Sequence, residues 1–459
     1  MTAQALNPYL LWAPQAWVGG RWRERVVLQV GADGHWASVT PDTACPALAT
    51  PLQGAALPGL VNAHSHAFQR AFVGMAETRS GEHDDFWSWR DRMYGVALRI
   101  TPGELRAVAT HLYRELLAGG YTQVCEFHYL HHAEDGKAYA DELAMSRVLA
   151  AAAQATGIGL TLLPVLYERA GFTQPTLRDE QRRFATDVAR VLRLRDGIRG
   201  WGLPRVSAGV AIHSLRAATA ASVHELADQL RGDPGPIHIH IAEQTAEVSD
   251  CLAATGARPI EWLVRELALD ARWQLVHATH ATAAEISAVA ATGAGVVLCP
   301  GTEANLGDGL ADLPRWLAAG VPLSLGSDSQ VTRSWPEELR WLEYGQRLQL
   351  RQRNVAAAPG QQPATAARLF ERLRQGGAAA AGFAHWGLVE GARADLLVLD
   401  AAQSALCGLP PSHLLDGLVF AAPERPFARV MVAGRWVETS ALPTPASRAA
   451  MQALWPPAA

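Results

Sequence analysis

Three histidines and one aspartate stand where the sequence could hold a divalent metal ion. His64 and His66 close an apolar run, and because side chains two apart on a strand point the same way, both imidazoles can face one ion. His240 and Asp328 close two later apolar runs. Three imidazole nitrogens and one carboxylate oxygen suit zinc with an open position for water. The ligand types alone also admit iron(II) or manganese.

Two further residues could move protons beside that ion. Glu243 lies three positions beyond His240, and a carboxylate there can take a proton from water and return it to a leaving nitrogen. His277 closes the next apolar run and faces the same side. Asp328 can serve both as a metal ligand and as the acceptor of the water's proton. The sequence does not divide these tasks between His277 and Asp328.

The elements that would position these residues form a regular series. Short apolar runs alternate with helical segments rich in Ala, Leu and Arg, a pattern typical of buried parallel strands. Eight such units predict a (β/α)8 barrel, whose active site lies at the carboxyl ends of its strands, where the His, Asp and Glu residues gather. The predicted strands are 59–64, 122–130, 159–167, 205–214, 237–243, 273–280, 293–300 and 322–329.

The two ends of the chain have a different pattern. Apolar and polar residues alternate up to residue 57 with Gly-Gly and Asp-Gly turns, which indicates hairpins. The same pattern returns at 391–400 and 428–437. We therefore predict a small β-sandwich domain built from residues 1–57 and 386–443, a barrel of residues 58–385 and a C-terminal tail of residues 444–459.

The composition limits the classes of partner. The net charge is −4, no basic stripe favours nucleic acid, and no uncharged apolar run has the roughly 18 residues of a membrane span. Five scattered cysteines without Cys-x-x-Cys spacing predict reduced thiols. Residues 1–15 lack the pattern of a secretion signal. These observations predict a cytoplasmic protein.

The motifs taken together resemble the amidohydrolase superfamily over nearly the whole chain. A Pro-Gly turn precedes His-x-His, and then follow His-x-x-Glu, a strand-ending His and Ser-Asp. Many members hold two metals bridged by a modified lysine on the fourth strand. This chain has His213 there, and its one lysine, Lys137, lies in a predicted loop. The resemblance therefore implies the one-metal form typical of deaminases, in which the residue matching His277 hydrogen-bonds the attacking water.

Seven longer stretches resemble the deiminases of this superfamily that act on N-formimino-L-glutamate in bacterial histidine degradation: 64–71, 86–90, 126–132, 213–216, 238–244, 302–309 and 337–344. The implied reaction gives N-formyl-L-glutamate and ammonia by a zinc-activated water, in a homodimer with one zinc per subunit. Guanidinium groups suit such a dicarboxylate substrate. The residues that the resemblance assigns to the substrate site are Gln69, Arg90, Tyr129, His213 and Arg216.

Three details and two alternatives accompany this interpretation. Gln330 departs from the family pattern, which predicts His there, and we expect Gln330 and Cys299 at the mouth, where they would bear on substrate fit. We expect the Trp and Phe side chains of 86–89 to pack their loop.

A one-metal deaminase of a heterocyclic or other amidine-like substrate would offer aromatic stacking and amides instead of paired arginines. A non-catalytic barrel used for protein interaction would have lost ligands.

Overall fold

The computed structural model describes residues 6–79, 84–422 and 426–455. The first five residues of the predicted small domain and the last four of the predicted tail lie outside these ranges. The strands are β1 (Tyr9–Val18), β2 (Arg21–Val30), β3 (Trp36–Thr40), β4 (Thr50–Pro51), β5 (Ala56–Leu57), β6 (Leu60–Ser65), β7 (Tyr121–His128), β8 (Gly159–Leu166), β9 (Val206–Ala208), β10 (Val210–Ile212), β11 (Ile237–Ile241), β12 (Trp273–His277), β13 (Gly295–Leu298), β14 (Leu323–Leu325), β15 (Leu396–Leu399), β16 (Phe427–Val432) and β17 (Arg435–Val437).

The helices lie mostly between these strands. They are α1 (Phe86–Ala97), α2 (Pro102–Ala118), α3 (Ala144–Thr156), α4 (Val188–Arg199), α5 (Ala220–Gln229), α6 (Thr245–Thr255), α7 (Pro259–Glu266), α8 (Ala283–Ala290), α9 (Pro300–Leu306), α10 (Leu313–Ala318), α11 (Trp335–Leu350), α12 (Thr365–Ala380), α13 (Leu414–Phe420) and α14 (Pro445–Leu454). Short 3-10 helices span Ala67–Phe72, Asp179–Gln181 and Pro411–His413. Within the described ranges, no helix is both long and apolar enough to cross a membrane.

Parallel strands close into a barrel at the centre of the molecule. Strands β6 to β14 pair in chain order, and β14 returns to β6 where Leu325 pairs with Asn62. β10 pairs with both β8 and β11, so β9 and β10 share one position in the barrel. The predicted (β/α)8 architecture is therefore confirmed.

The fourth predicted strand, 205–214, is interrupted at Gly209. A Cβ atom at this position would lie 2.3 Å from Pro236 O, so the close approach of the neighbouring segment requires glycine. The run therefore forms β9 and β10 in succession. The pattern predicted the apolar run correctly, but it did not predict the interruption.

Burial on both faces explains why the barrel strands are so apolar. All residues of β7, β8 and β11 are buried, because helices cover the outer surface and side chains fill the interior. Local signals start several of these helices. Thr101 and Glu104 form a capping box before α2, whose first residue is Pro102. The loops after the strands are thus carried by a rigid scaffold.

A second sheet joins the two ends of the chain. Its strand order is β17, β16, β15, β5, β1, β2, β3, with β4 paired to β1. The joint is antiparallel, with Leu57 opposite Leu397 and Ala56 opposite Val398. This sheet has a core of its own, which includes Leu28, Trp36 and Met431. The predicted small domain made from both chain ends is therefore confirmed.

The segment predicted as a C-terminal tail contains α14, which packs against α2. Beyond that helix, Trp455 Nε1 donates a hydrogen bond to Ala71 O at 2.7 Å, and the indole stacks on Phe72 at 6.2 Å. Ala71 and Phe72 belong to the 3-10 helix that follows His66. The segment is therefore held against the barrel beside the predicted site.

Candidate metal and active site

The carboxyl ends of the barrel strands bring the four predicted metal ligands together. His64 lies in β6 and His66 just after it, His240 lies in β11, and Asp328 stands three residues after β14. All four side chains are buried. His64 Nε2 lies 2.9 Å from His240 Nε2. His64 Nε2 and His66 Nε2 each lie 3.4 Å from Asp328 Oδ1.

These separations fit one ion held between the four side chains. Donor atoms that each lie about 2.0–2.1 Å from a tetrahedral zinc are roughly 3.3 Å from one another. Three sets of three donors each lie within 4.8 Å of one another: His64, His66 and Asp328; His64, His240 and His277; and His277, Cys299 and Glu303. His64 belongs to the first two sets, which together contain all four predicted ligands.

Hydrogen bonds on the far side of the rings orient the histidines. His66 Nδ1 donates to Phe127 O at 2.9 Å, and His240 Nδ1 donates to His213 O at 2.9 Å. In each ring the Nε2 lone pair therefore faces the shared centre. His64 Nδ1 is buried and has no hydrogen-bond partner among the described residues.

Burial also sets the protonation states that a metal requires. It lowers the pKa of His64 to about 3 and lowers the pKa values of His66 and His240, so these imidazoles are neutral at pH 7. Burial alone would raise the pKa of Asp328, but the hydrogen bond with His64 and the charge of the neighbouring His277 lower it well below its usual range. Neutral imidazoles and an ionised carboxylate are the ligating forms.

Glu243 and His277 lie beside the ligand cluster. His277 Nε2 is 3.6 Å from Glu243 Oε1 and 3.6 Å from Asp328 Oδ2. Burial raises the pKa of Glu243 to about 7. Burial disfavours the charged form of His277, but Glu243, Glu303 and Asp328 together raise the pKa of its imidazole. The group can therefore hold and exchange protons near neutral pH.

Glu303 is a site residue that the sequence analysis missed. It lies in the first turn of α9, after the seventh barrel strand, and its Oε1 is 3.3 Å from His277 Nδ1. The carboxylate also accepts the backbone N–H of Cys299 at 2.9 Å. Its position just past a predicted strand end, similar to that of Glu243, was the available signal.

The backbone at these strand ends takes the left-handed conformation. The φ values are 51° at Ala242, 71° at His277, 46° at Asp328 and 71° at Gln330. Residues other than glycine adopt such values at a cost, and they persist where surrounding structure enforces them. Four of the residues with this conformation therefore lie at or next to the strand ends that carry His277 and Asp328.

All five predicted substrate residues line one cavity together with three of the four predicted metal ligands, His66, His240 and Asp328. Gln69 Nε2 donates to Tyr129 OH at 3.0 Å, and the His213 ring lies 4.3 Å from that of Tyr167. Tyr167 was not among the residues predicted for the site, because no motif singles it out. The cavity is lined by His66, Gln69, Phe86, Trp89, Arg90, Met93, Tyr94, Tyr129, Tyr167, Phe184, His213, Arg216, His240, Glu243, His277, Leu306 and Asp328.

Two arginines give one side of this cavity a positive charge. The guanidinium carbons of Arg90 and Arg216 lie 4.6 Å and 5.4 Å from the ring centre of Trp87, so one indole supports both. Their Nε atoms are buried and have no hydrogen-bond partner among the described residues. Burial and the neighbouring charges of Arg178 and Arg216 lower the pKa of Arg90. Like charges held together in this way suit an anionic ligand.

Three expectations from the sequence are corrected. Gln330 and Cys299 were expected at the mouth, but both are fully buried and neither lines the cavity. The Gln330 side chain instead makes hydrogen bonds with Ser65, Ser327 and the backbone of Asp328. Phe86 and Trp89 line the cavity as well as packing their loop.

The one lysine is far from a bridging position. Lys137 is 84% exposed and pairs with Asp135 at 2.9 Å. His213, which follows β10, lines the cavity at the strand end where the bridging lysine was considered. No lysine is therefore in place to bridge two metals, while the four predicted ligands of the one-metal form lie together.

Comparisons with known proteins agree with this geometry. Residues 55–437 match the model of the amidohydrolase family. A formimidoylglutamate deiminase from Pseudomonas aeruginosa is 45% identical over 93% of this chain and 94% of its own length. The crystal structure of an amidohydrolase from Brucella melitensis superposes with a TM-score of 0.92 at 40% identity, covering 97% and 99% of the two chains. An adenosine deaminase from Xanthomonas campestris with bound zinc superposes with a TM-score of 0.77 at 25% identity over 97% and 96%.

Proposed function

The chain belongs to the amidohydrolase family, and we propose that it hydrolyses the formimino group of N-formimino-L-glutamate to give N-formyl-L-glutamate and ammonia. One observation carries the proposal. Three of the four proposed metal ligands and two arginines whose buried Nε atoms make no hydrogen bond among the described residues line the same cavity, which suits a substrate with a reactive C–N bond at one end and carboxylates at the other. The 45% identity to a formimidoylglutamate deiminase supports this choice of substrate.

We propose that His64, His66, His240 and Asp328 hold one zinc ion in each subunit. The 2.9–3.4 Å separations of their donor atoms and the neutral state of the buried imidazoles support this ligand set. When bound, the ion supplies the Lewis acidity that makes water nucleophilic at neutral pH. Asp328 keeps its carboxylate ionised, so it can also accept a proton from that water.

Glu243 and His277 handle the protons of the reaction. Because burial brings the pKa of Glu243 to about 7, its carboxylate can take up a proton and then deliver it to the departing nitrogen, which leaves as ammonia. His277 lies within 3.6 Å of both Glu243 and Asp328, so its Nε2 can hold the attacking water between them. Glu303 fixes the ring of His277 from the other nitrogen.

The opposite part of the cavity orients the substrate. Arg90 and Arg216 bind the carboxylates, and the burial of Arg216 and of the Arg90 Nε atom strengthens these charge-assisted hydrogen bonds. Gln69, Tyr129 and His213 add hydrogen bonds beside them. A heterocyclic base would leave the buried Arg216 guanidinium without a carboxylate, so this arginine argues against the alternative of a purine or pyrimidine deaminase.

Steady-state ammonia release tests the proposal. The substrate series is N-formimino-L-glutamate, N-formimino-L-aspartate, guanine, cytosine and adenosine, with metal content measured on the same sample. We expect N-formimino-L-glutamate to have the highest kcat/KM and about one zinc per chain. Faster release from a heterocycle would replace the proposed substrate. Absence of both metal and hydrolysis would leave a non-catalytic barrel. The cytoplasmic location and the homodimer stay predictions.

A further inference from the structure

Gln330 links the two chain segments that carry three of the four metal ligands. Its side chain is fully buried two residues after Asp328. The amide Nε2 donates to Asp328 O at 2.6 Å and to Ser65 Oγ at 3.0 Å. Ser65 is the residue between His64 and His66. One amide therefore spans from the segment after β14 to the segment that ends β6.

The hydrogen bonds around Gln330 form a chain in which each described donor has an acceptor. Asn62 Nδ2 donates to Ser327 Oγ at 2.6 Å, and Ser327 Oγ donates to Gln330 Oε1 at 2.7 Å. On the other side, Ser65 Oγ donates to Glu126 Oε2 at 3.0 Å. A buried network that is satisfied throughout holds its members rigidly.

The network requires two hydrogen-bond donors and one acceptor at position 330. The uncharged amide of glutamine provides the donors through Nε2 and the acceptor through Oε1. A glutamate would offer acceptors to Asp328 O and Ser65 Oγ, where donors are required. A methionine fills a similar volume and makes none of the three hydrogen bonds. The backbone bonds between the two segments, His66 N to Asp328 O and Asp328 N to His64 O, fix their distance. The hydrogen bonds of the Gln330 amide additionally fix the orientation of the loop after β14.

We propose that Gln330 is a positioning residue for the metal, which sets the affinity of the site by holding Asp328 in register with the His64–His66 pair. The inference rests on the proposed metal site, because it concerns the geometry of those ligands. Residues that support ligands in this way typically change metal affinity by about 10- to 100-fold when they are replaced.

A matched pair of variants tests the proposal. Gln274 is also buried in the barrel, near the start of β12 at the opposite end from the site, and its Nε2 donates to Ala271 O at 3.1 Å. Q330M and Q274M therefore both replace a buried amide in the same barrel. The measurement is the zinc dissociation constant by competition with a chromophoric chelator, together with the Tm of the metal-free protein.

We expect Q330M to weaken zinc binding by about 10- to 100-fold, whereas Q274M keeps the wild-type dissociation constant although its metal-free Tm falls. Q330E, which restores size but not the donors, should also bind zinc weakly. If Q330M does not fold, S327A tests the same network, and a several-fold weakening supports the proposal. Unchanged zinc affinity in Q330M would overturn the proposal, and so would unchanged affinity in S327A if Q330M does not fold. Equal weakening of zinc binding in Q274M would also overturn it. A wild-type protein that binds no zinc would instead refute the proposed metal site.

Discussion

Replacing Arg216 by methionine separates substrate binding from stability. Arg216 is 6% exposed, its Nε has no hydrogen-bond partner, and no carboxylate lies within 4.0 Å of its guanidinium among the described residues. The folded protein therefore keeps an unpaired charge in a buried position, which is unfavourable for stability. Methionine fills part of the same volume without that charge. We expect R216M to keep or slightly raise the Tm.

The effect on catalysis should be large, because the substrate supplies the missing partner. Hydrogen bonds between charged groups contribute about 1.5–3 kcal/mol, and the burial of Arg216 favours the upper half of this range. A loss of about 2–3 kcal/mol corresponds to a decrease of roughly 30- to 150-fold in kcat/KM. Most of it should appear in KM, since the guanidinium lies away from the reacting carbon.

The assay compares three substrates. N-formimino-L-glutamate has two carboxylates, and two analogues each lack one of them: 4-(formimidoylamino)butanoate and N-formimino-L-2-aminobutanoate. R216M should lose activity on the dicarboxylate and on one analogue, and match wild type on the analogue that lacks the carboxylate bound by Arg216. Equal losses on all three substrates, or no change in KM, would refute the assignment of Arg216 to the substrate.

Arg195 provides the matched control for this variant. It is 9% exposed, but it is paired: its Nε lies 2.8 Å from Asp196 Oδ1 and its Nη1 lies 3.3 Å from Asp233 Oδ2. R195M should therefore show the opposite pattern, with a lower Tm and an unchanged KM. A lower Tm in both variants would mean that Arg216 has a structural partner.

Three further predictions concern proton transfer, metal and pH. E243Q should keep one zinc per chain while kcat falls about 100- to 10,000-fold, measured by metal analysis and ammonia release; normal turnover would remove Glu243 from proton transfer. Chelation of the metal should lower the Tm by several degrees, and added zinc should restore it, since an ion that binds only the folded state stabilises it by mass action. Asp233 accepts two hydrogen bonds from Arg199, at 2.6 Å and 2.9 Å, which together with other contacts lower its pKa to about 2. The pKa of Asp233 is lower in the folded protein than in the unfolded chain, so the ionised carboxylate stabilises the fold. D233N should therefore lower the free energy of unfolding by about 1–2 kcal/mol above pH 4. This difference should shrink as the pH falls toward 2, and a pH-independent difference in urea titrations would contradict the ion-pair assignment.

Local spacing was sufficient to predict that His64, His66, His240 and Asp328 lie together, and their role as metal ligands stays a prediction. The two-residue spacing of His64 and His66 and the strand-end positions of His240 and Asp328 follow from the period of a strand and from the rule that parallel strands end at one edge. The same rule brought Glu243 and His277 to that edge. These are properties of single strands, so a linear pattern contains them.

Features that depend on turns or on contacts between distant segments could not be predicted from the spacing of residues in the sequence. Gln330 was expected at the mouth, but it is fully buried in a left-handed turn, and a sequence does not specify φ at a residue other than glycine. Glu303 reaches His277 across two strand ends. The substrate arginines were assigned by resemblance, since a single sequence does not distinguish Arg90 from a solvated loop charge.

The pairing of β5 with β15 leaves one edge of β5 without its partner strand during much of synthesis. Leu57 pairs with Leu397, 340 positions later, and the first barrel strand begins three residues after Leu57. During synthesis at about 5–20 residues per second, β5 leaves the ribosome roughly 20–70 seconds before its partner strand exists. Throughout that interval an open strand edge adjoins the start of the barrel, so the nascent chain is exposed to mispairing until the strand that covers this edge has been translated.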